Sequence, residues 1–324
     1  MRALLIDADR NISRSNGHIR SKLPNLALMQ LSTWLKQNGR ETALNIEDPD
    51  EVWVSCVFKE NADQARGIRL YYPDAEFHLG GSGVNWNWLP EEAQKAKPDY
   101  DLYPKMGYSM GFTTRGCIRK CPFCIVPEKE GKHQIWQHPK EFYRGSGTIM
   151  LLDNSWTANH DWFMETSQWL IDNGVQTRVP QGVDVRIMNP EAARQLKKIK
   201  KRGVIHLAWD VMKDEDQVYR GMMAMKDAGI RLKEWVSVYV LVGYNTTVEE
   251  DKYRCRRIKE WGSTAFAMPY ISTKWTRRLV KWCRPEIFWS CDINEYRPGI
   301  GEDAHRPSLS PPLNTPKGMV EHDG

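Results

Sequence analysis

Apolar residues form short runs over residues 1–104, and their spacing alternates between that of strands and that of helices. The run ALLIDAD (3–9) is apolar and ends in polar residues, which is typical of a buried parallel strand. The next run, 24–39, repeats leucine at helical spacing and ends at a glycine. Further strands are predicted at 41–46, 51–58 and 75–81. Strands that alternate with helices predict an open parallel α/β sheet for this region.

The same alternation continues over residues 105–291. Six strand-like runs are predicted there, at 108–114, 148–154, 177–186, 204–210, 235–244 and 264–272. Helix-like runs lie between them, and several end in glycine. Six strands with five intervening helices predict a partial parallel (β/α)6 barrel rather than a flat sheet. In such barrels the chemistry lies at the carboxyl ends of the strands.

Composition narrows the class of protein without naming a function. The chain has 324 residues, of which 41% are hydrophobic and 27% charged, as in soluble globular proteins. Residues 292–324 are rich in proline and glycine and predict a tail with little regular structure. The chain shows neither a long apolar run nor a signal-peptide pattern at its start, so we expect a cytoplasmic protein without a membrane partner. A net charge of +5 is too small to indicate nucleic acid by itself.

Three of the seven cysteines lie within the stretch RGCIRKCPFC (115–124). Cys117, Cys121 and Cys124 follow a predicted strand, and thiolates in such loops hold iron–sulfur clusters or zinc. Three thiolates would bind three irons of a cubane and leave the fourth iron open. Zinc would need a fourth ligand, for which His133 and His138 are candidates, although their spacing matches no common finger pattern.

The stretch CIRKCPFC resembles the CxxxCxxC motif of the radical S-adenosylmethionine superfamily, and Phe123 before the last cysteine matches as well. The resemblance implies that Cys117, Cys121 and Cys124 hold a [4Fe–4S] cluster whose open iron takes S-adenosyl-L-methionine. It also implies reductive cleavage to methionine and a 5′-deoxyadenosyl radical, which takes hydrogen from a substrate. The substrate, whether small molecule, peptide or nucleotide, is left open. An external electron donor such as flavodoxin or ferredoxin is implied.

The resemblance also implies cofactor contacts at the ends of the second and third strands. Asp153 or Asn154 would bind the methionine amino group. Gln181, Asp184 and Arg186 lie near the end of the third strand. Alternation places Asp184 and Arg186 on one face, where they would bind ribose hydroxyls and the methionine carboxylate respectively. A local ion pair between these two residues is the alternative.

Later strand ends supply the remaining implied contacts. Asp210 follows the fourth strand and either faces the pocket or caps the next helix. Val242, Gly243 and Tyr244 match the segment that packs near adenine in the superfamily. Met268, on the sixth strand, would offer backbone contacts.

The first 104 residues resemble the flavodoxin-like domain that precedes the barrel in cobalamin-binding members of the superfamily. The helix at 24–39 and the segment FHLGGSGVN (77–85) carry this resemblance. The version is short, without a fifth strand or an Asp-x-His-x-x-Gly motif, so we interpret it as degenerate and cobalamin as the less favoured cofactor. A cobalamin-dependent methyltransferase remains an alternative. The glycine-rich turn at 80–85 is either a ligand cradle or a tight turn. The whole chain also resembles short radical enzymes of bacteria and phages.

Two further features leave alternatives open. Cys255, Cys283 and Cys291 could hold a second cluster, but buried inert thiols are the default interpretation. The stretch 274–284 interleaves basic residues with tryptophan, which indicates either nucleic-acid contact or an amphipathic surface helix. A non-catalytic metal-binding protein that contacts nucleic acid is therefore a second alternative.

Overall fold

A computed structural model describes residues 1–10 and 20–297 of the chain. The predicted tail at 292–324 therefore lies outside the described residues from residue 298 onward. The contacts divide the chain into two compact units: Met1–Gly111 with Gln137–Ile149, and Phe112–Trp136 with the chain from Met150 onward. The first unit thus takes in residues on both sides of the cysteine loop, in addition to the predicted 1–104.

The elements of the described residues follow one another in the α/β alternation predicted from the sequence. The strands are β1 (Arg2–Asp7), β2 (Glu41–Ala43), β3 (Glu51–Ser55), β4 (Glu76–Gly80), β5 (Tyr108–Gly111), β6 (Thr114–Arg115), β7 (Gln134–Ile135), β8 (Thr148–Leu151), β9 (Gln176–Arg178), β10 (Ile205–Ala208), β11 (Val236–Val242) and β12 (Thr264–Pro269). The α-helices are α1 (Leu26–Gln37), α2 (Ala62–Gly67), α3 (Glu91–Lys95), α4 (Val126–Lys129), α5 (Pro139–Phe142), α6 (His160–Asp172), α7 (Pro190–Lys198), α8 (Glu215–Asp227), α9 (Leu232–Trp235), α10 (Val248–Glu260), α11 (Lys274–Trp282) and α12 (Pro285–Phe288).

The first unit contains a four-stranded parallel sheet in the order β2-β1-β3-β4. Helix α1 begins at the N-cap Asn25, whose side chain accepts the N–H of Leu28, and its leucines are buried beside β1. The turn after β4 is tight: Gly81 has a φ of 111°, and a β-carbon there would overlap the carbonyl of Cys56. The tight-turn interpretation of this segment therefore fits better than a ligand cradle.

The second unit contains a three-stranded parallel sheet in the order β10-β11-β12. Helices α10 and α11 contact one face of it, where Val238, Val240 and Ala265 are fully buried. The unit's strands β6 and β7 pair as an antiparallel hairpin. The chain also forms a three-stranded sheet in the order β5-β8-β9. The α/β class is confirmed. The described strands form no closed barrel, so the six-stranded partial barrel stays a prediction.

The predicted strand over 177–186 is wrong after Arg178, where β9 ends. Pro180 has no N–H to donate to a neighbouring strand, and the chain turns there before a single 3₁₀ turn at Val185–Ile187. The segment still forms backbone hydrogen bonds with β10 and with the residues just before it. Thr177 exchanges backbone hydrogen bonds with Lys200 and Arg202, and Val183 donates to the carbonyl of His206 (3.0 Å).

Among the described residues, no helix has the length and apolar character needed to cross a membrane.

Candidate metal centre and its surroundings

The three cysteines lie on the loop that follows β6. Gly116 has a φ of 69°, and a β-carbon there would overlap the carbonyl of Lys132, so the turn into Cys117 requires glycine. Two backbone N–H groups point at sulfur: Arg119 N–H donates to Cys117 Sγ (3.3 Å) and Val126 N–H to Cys124 Sγ (3.5 Å). Hydrogen bonds to sulfur favour the thiolate and tune the potential of a bound cluster.

The three thiols are close enough to affect one another electrostatically. Burial raises the pKa of Cys121 to about 11, while the charge of Arg186 lowers it and the other two thiols raise it. Burial also raises the pKa of Cys124, and Cys117 adds to the shift. Cys121 and Cys124 are therefore neutral thiols at physiological pH unless a cation holds them, because metal coordination deprotonates a thiol outright.

Three thiols at this spacing match the donor set of a cluster, whereas zinc would need a fourth ligand. Within residues 1–10 and 20–297, no three His, Cys, Asp or Glu side chains converge on one point where a metal ion could sit. Zinc needs four ligands within about 2.0–2.3 Å of one atom, whereas a cubane spreads its thiolates over separate irons. Of the two histidines considered for zinc, His138 caps α5 by accepting the N–H of Lys140. The other, His133, has a buried Nε2 without a partner among the described residues.

Asp153 fixes the strand that enters the loop. Its fully buried carboxylate accepts hydrogen bonds from the hydroxyls of Thr113 (2.6 Å) and Thr114 (2.7 Å) and from both backbone N–H groups. Burial raises its pKa, and these donors oppose the shift. The sequence assigned Asp153 to the methionine amino group. The structure instead gives its oxygens to two threonines of the same chain, which leaves Asn154 as the candidate for that contact.

Glu130 joins three parts of the loop region and was missed by the sequence analysis. Its carboxylate accepts from the N–H of Gly116 (3.1 Å) and from Asn154 Nδ2 (3.0 Å), and it pairs with Arg115 Nε (3.2 Å). No sequence signal distinguishes this residue from Glu128 two positions earlier.

Asp184 and Arg186 do meet, but not as strand neighbours. Asp184 is the N-cap of the 3₁₀ turn, and Arg186 Nε donates back to it (2.8 Å) while Arg186 Nη1 pairs with Asp214 (2.9 Å). The local ion-pair alternative is therefore confirmed. A third partner comes from the cysteine loop itself, since Arg119 Nε lies 2.9 Å from Asp184 Oδ2. Gln181, which the sequence grouped with Asp184 and Arg186, is exposed in the turn before the 3₁₀ turn.

Burial would raise the pKa of Asp184, but the hydrogen bonds and charges of Arg186 and Arg119 hold it below its ordinary value. Asp184 is therefore ionised at neutral pH. The guanidinium of Arg186 is already shared between two carboxylates, so it would bind a ligand carboxylate only by exchanging one of them.

Asp210 lies beyond the end of β10. Its Oδ1 accepts the N–H of Leu241 on the neighbouring strand (3.1 Å), and in the described part of the chain it caps no helix. Burial raises its pKa, and the backbone hydrogen bond from Leu241 and the charges of Arg254 and Arg186 lower it. The charge of Asp210 contributes to the raised pKa of both Cys121 and Cys124.

The end of β11 meets the cysteine loop through aromatic rings. Phe123 packs edge-on against Tyr244 with ring centroids 5.3 Å apart, and Tyr244 packs against Tyr270 at 4.6 Å. Gly243, between the strand and this ring, donates its N–H to Asp251 Oδ2 (3.0 Å). The structure thus brings together the cysteine motif and the segment after the fifth predicted strand, which are about 120 residues apart in sequence.

The two other residues assigned to cofactor contacts lie on the strands themselves. Val242 ends β11 and is fully buried, so only its backbone is available to a ligand. Met268 on β12 is 43% exposed, on the face of the sheet opposite the helices.

The other cysteines and the basic helix have structural surroundings. Cys255 and Cys283 are buried with their sulfurs 4.0 Å apart, and burial raises the pKa of Cys283 well above its ordinary value. Cys291 is half-buried elsewhere on the unit. On α11, Leu279 and Trp282 are fully buried, which confirms an amphipathic helix with one face in the core.

Comparison with known proteins assigns no family. No known protein family's sequence model matches the chain. A stretch of 50 residues is 44% identical to the sodium channel protein type 3 subunit alpha of Homo sapiens. That match covers 15% of this chain and 2% of the channel, so it carries no argument about fold or function.

Proposed function

We propose that the chain is a radical S-adenosylmethionine enzyme, with a cluster held by Cys117, Cys121 and Cys124. The observation that carries the proposal is the cysteine loop: three thiols at CxxxCxxC spacing, two of which accept backbone N–H donors, next to an aromatic contact with the end of β11. A [4Fe–4S] cluster with S-adenosylmethionine on its open iron would supply reductive cleavage and a hydrogen-abstracting 5′-deoxyadenosyl radical.

The chain's own residues would position this chemistry. Asp153 and Glu130 hold the two ends of the loop, and Arg119 ties its middle to Asp184. Asn154 then presents its side chain beside Glu130, where it would bind the methionine amino group. The charge of Asp210 acts on Cys121, and it would likewise stabilise a positively charged sulfonium or amino group bound at the cluster.

The finer fold assignments belong to the same proposal. The order β2-β1-β3-β4 equals the first four strands of a flavodoxin-like sheet, 2-1-3-4-5. The hydrogen bonds of Thr177 and Val183 to the β10 segment support a continuous six-stranded partial barrel. An external flavodoxin or ferredoxin would supply the electron.

The test is anaerobic reconstitution with iron and sulfide, followed by dithionite and S-adenosylmethionine. We expect about four irons per chain and formation of 5′-deoxyadenosine and methionine in equal amounts. Cys121→Ala should abolish the nucleoside. Cys291→Ala is the matched control, because that thiol is also partly exposed but lies outside the loop, and it should behave like the wild type.

Two results would contradict the proposal. The first is one tightly bound zinc with no iron uptake. The second is a cluster that survives Cys121→Ala but is lost in Cys291→Ala, which would move the metal site to the C-terminal cysteines.

A further inference from the structure

One face of the β10-β11-β12 sheet is left open. The face under α10 and α11 is fully buried, whereas on the other face Phe266 is 52% and Met268 43% exposed. Parallel sheets are normally covered on both faces. A contiguous exposed apolar surface on such a sheet marks a place where something binds.

Three aromatic rings, one from each strand, pack against one another on this open face. His206 on β10 stacks on Tyr239 of β11, with centroids 4.7 Å apart and planes 7° apart. Phe266 on β12 meets Tyr239 edge-on at 5.3 Å and 82°. Tyr239 and Phe266 are register partners, with Ala208 opposite on β10, so the middle row combines two rings and one small residue. We call His206, Tyr239 and Phe266 the ring platform.

One polar atom of the ring platform lacks a partner among the described residues. His206 Nδ1 is buried and makes no hydrogen bond there. A buried polar atom without a partner costs stability and calls for an explanation. A ligand with hydrogen-bonding atoms at the edge of a flat ring would give Nδ1 a partner. The neighbouring Tyr239 is half-buried, and burial raises the pKa of its hydroxyl.

A positive charge lies beside the amino end of β10. Arg178 directly follows Thr177, which is bonded through its backbone to Lys200 and Arg202 just before β10. Arg178 is exposed and forms no ion pair with the described residues. Burial, and then the charge of Arg178, lower the pKa of His206.

The carboxyl end of the open face is different. Met268 lies there on β12, and Asp210 follows the end of β10, where its Oδ1 accepts the N–H of Leu241. From start to end, the strands therefore carry a cation before β10, the three rings, and a carboxylate after β10.

We infer that the ring platform binds the base of a nucleotide whose phosphate is held at Arg178, and that a nucleotide is the substrate class of this enzyme. Stacking is available to every base, and hydrogen bonds from His206 and Tyr239 would read its edge. Arg178 selects for the phosphate. The inference rests on the proposed function for the chemistry, but the binding it predicts needs neither iron nor S-adenosylmethionine.

The test is calorimetric titration of the full chain, free of iron and S-adenosylmethionine, with AMP, GMP, CMP and UMP separately. We expect at least one to bind. Phe266→Ala should weaken that binding at least about fivefold, the effect of losing one base–aromatic stack. Arg178→Gln should reduce the affinity to that of the nucleoside without phosphate, and Tyr239→Phe should weaken it with the ring retained. Tyr71→Ala, which removes an 80% exposed ring from the first unit, is the control and should change nothing.

Several outcomes would overturn the inference. One is no binding of any of the four at millimolar concentration, and another is unchanged binding in Phe266→Ala. A third is binding of N-acetyltryptophanamide but of no nucleotide, which would indicate a peptide. A fourth is one-for-one displacement of the nucleotide by S-adenosylhomocysteine, which would assign the platform to the cofactor's adenine. The two results that contradict the proposed function, zinc without iron uptake or a cluster lost only in Cys291→Ala, would instead leave these titrations unchanged.

Discussion

The two units each bury carboxylates at the ends of parallel strands, but their surroundings differ. In the first unit, Asp9 accepts from the backbone N–H groups of Val57 (2.5 Å) and Phe58 (3.3 Å) and from the amide of Asn61 (2.7 Å). The turn at Gly81 packs directly against the end of β3. In the second unit, the strand ends carry three free thiols, and the adjoining sheet face exposes aromatic rings.

This difference shows that the fold alone does not decide where a ligand binds. Open parallel sheets bind ligands at the carboxyl ends of their strands, yet the first unit fills that position with its own donors. In the second unit, the hydrogen-bond donors at the strand ends fix the cysteine loop. The cysteine sulfurs and the exposed aromatic rings stay available to a ligand. This contrast supports the proposal that the chemistry takes place in the second unit.

The largest effect should come from removing the carboxylate that fixes the cysteine loop. Asp153→Ala leaves the N–H and hydroxyl groups of Thr113 and Thr114 buried without an acceptor. We expect the free energy of unfolding to fall by roughly 3 to 5 kcal/mol. Urea unfolding followed by tryptophan fluorescence measures this loss.

Two variants bracket that prediction. Asp153→Asn keeps one acceptor oxygen and should lose less than Asp153→Ala. Asp227→Ala removes an exposed carboxylate at the end of α8 and should stay within about 0.5 kcal/mol of wild type. Equal losses in Asp153→Ala and Asp227→Ala would show that the loop does not depend on this carboxylate.

The next effect concerns Asp7, a buried carboxyl in the first unit. Burial, and then the charge of Asp9, raise the pKa of Asp7 to about 6. A raised pKa means that its contribution to stability is fully present below about pH 4 and is lost as the pH rises through about 6. Asp7→Asn stays neutral, so it should stabilise the protein by roughly 3 kcal/mol at pH 7.5 and by only about 0.5 kcal/mol at pH 4.

Urea unfolding at the two pH values checks this prediction. Asp74→Asn, at an exposed position in the same unit, is the control and should show no difference between them. A gain in Asp7→Asn that is equal at both pH values would point to packing rather than ionisation. Loss of stability in Asp7→Asn at pH 7.5 would mean that the ionised carboxylate stabilises this unit, which contradicts the prediction.

Local patterns predicted the alternating elements and the cysteine loop because both depend on neighbours within about ten residues. The strand over 177–186 failed for an equally local reason, since Pro180 interrupts it. Asp153 was placed correctly at the end of a strand. Its partners lie 40 residues earlier in the chain, and no pattern in the sequence relates them.

The contacts that the sequence did not predict were mainly those between residues far apart in the chain. Arg119 lies inside the cysteine motif, but its partner Asp184 is 65 residues away. The ring platform was likewise invisible, because His206, Tyr239 and Phe266 come from three strands and each is an ordinary strand residue by itself. Only the register of the sheet shows that Tyr239 and Phe266 are neighbours.

The smallest effect should come from Arg119, which ties the cysteine loop to Asp184 at 2.9 Å with a partly exposed side chain. Arg119→Gln removes one such pair, so the free energy of unfolding should change by less than about 1 kcal/mol. The loop would nevertheless lose its anchor, and the reconstituted cluster should release iron to a chelator up to about fivefold faster. Lys120→Gln is the matched control, because Lys120 is the next residue, carries the same charge and is exposed. If both variants release iron at the wild-type rate, the contact with Asp184 does not hold the loop. If both variants release iron faster than the wild type and at equal rates, the cluster depends on positive charge in general. The second unit's loop would then lack the specific side-chain anchors that close the strand ends of the first unit.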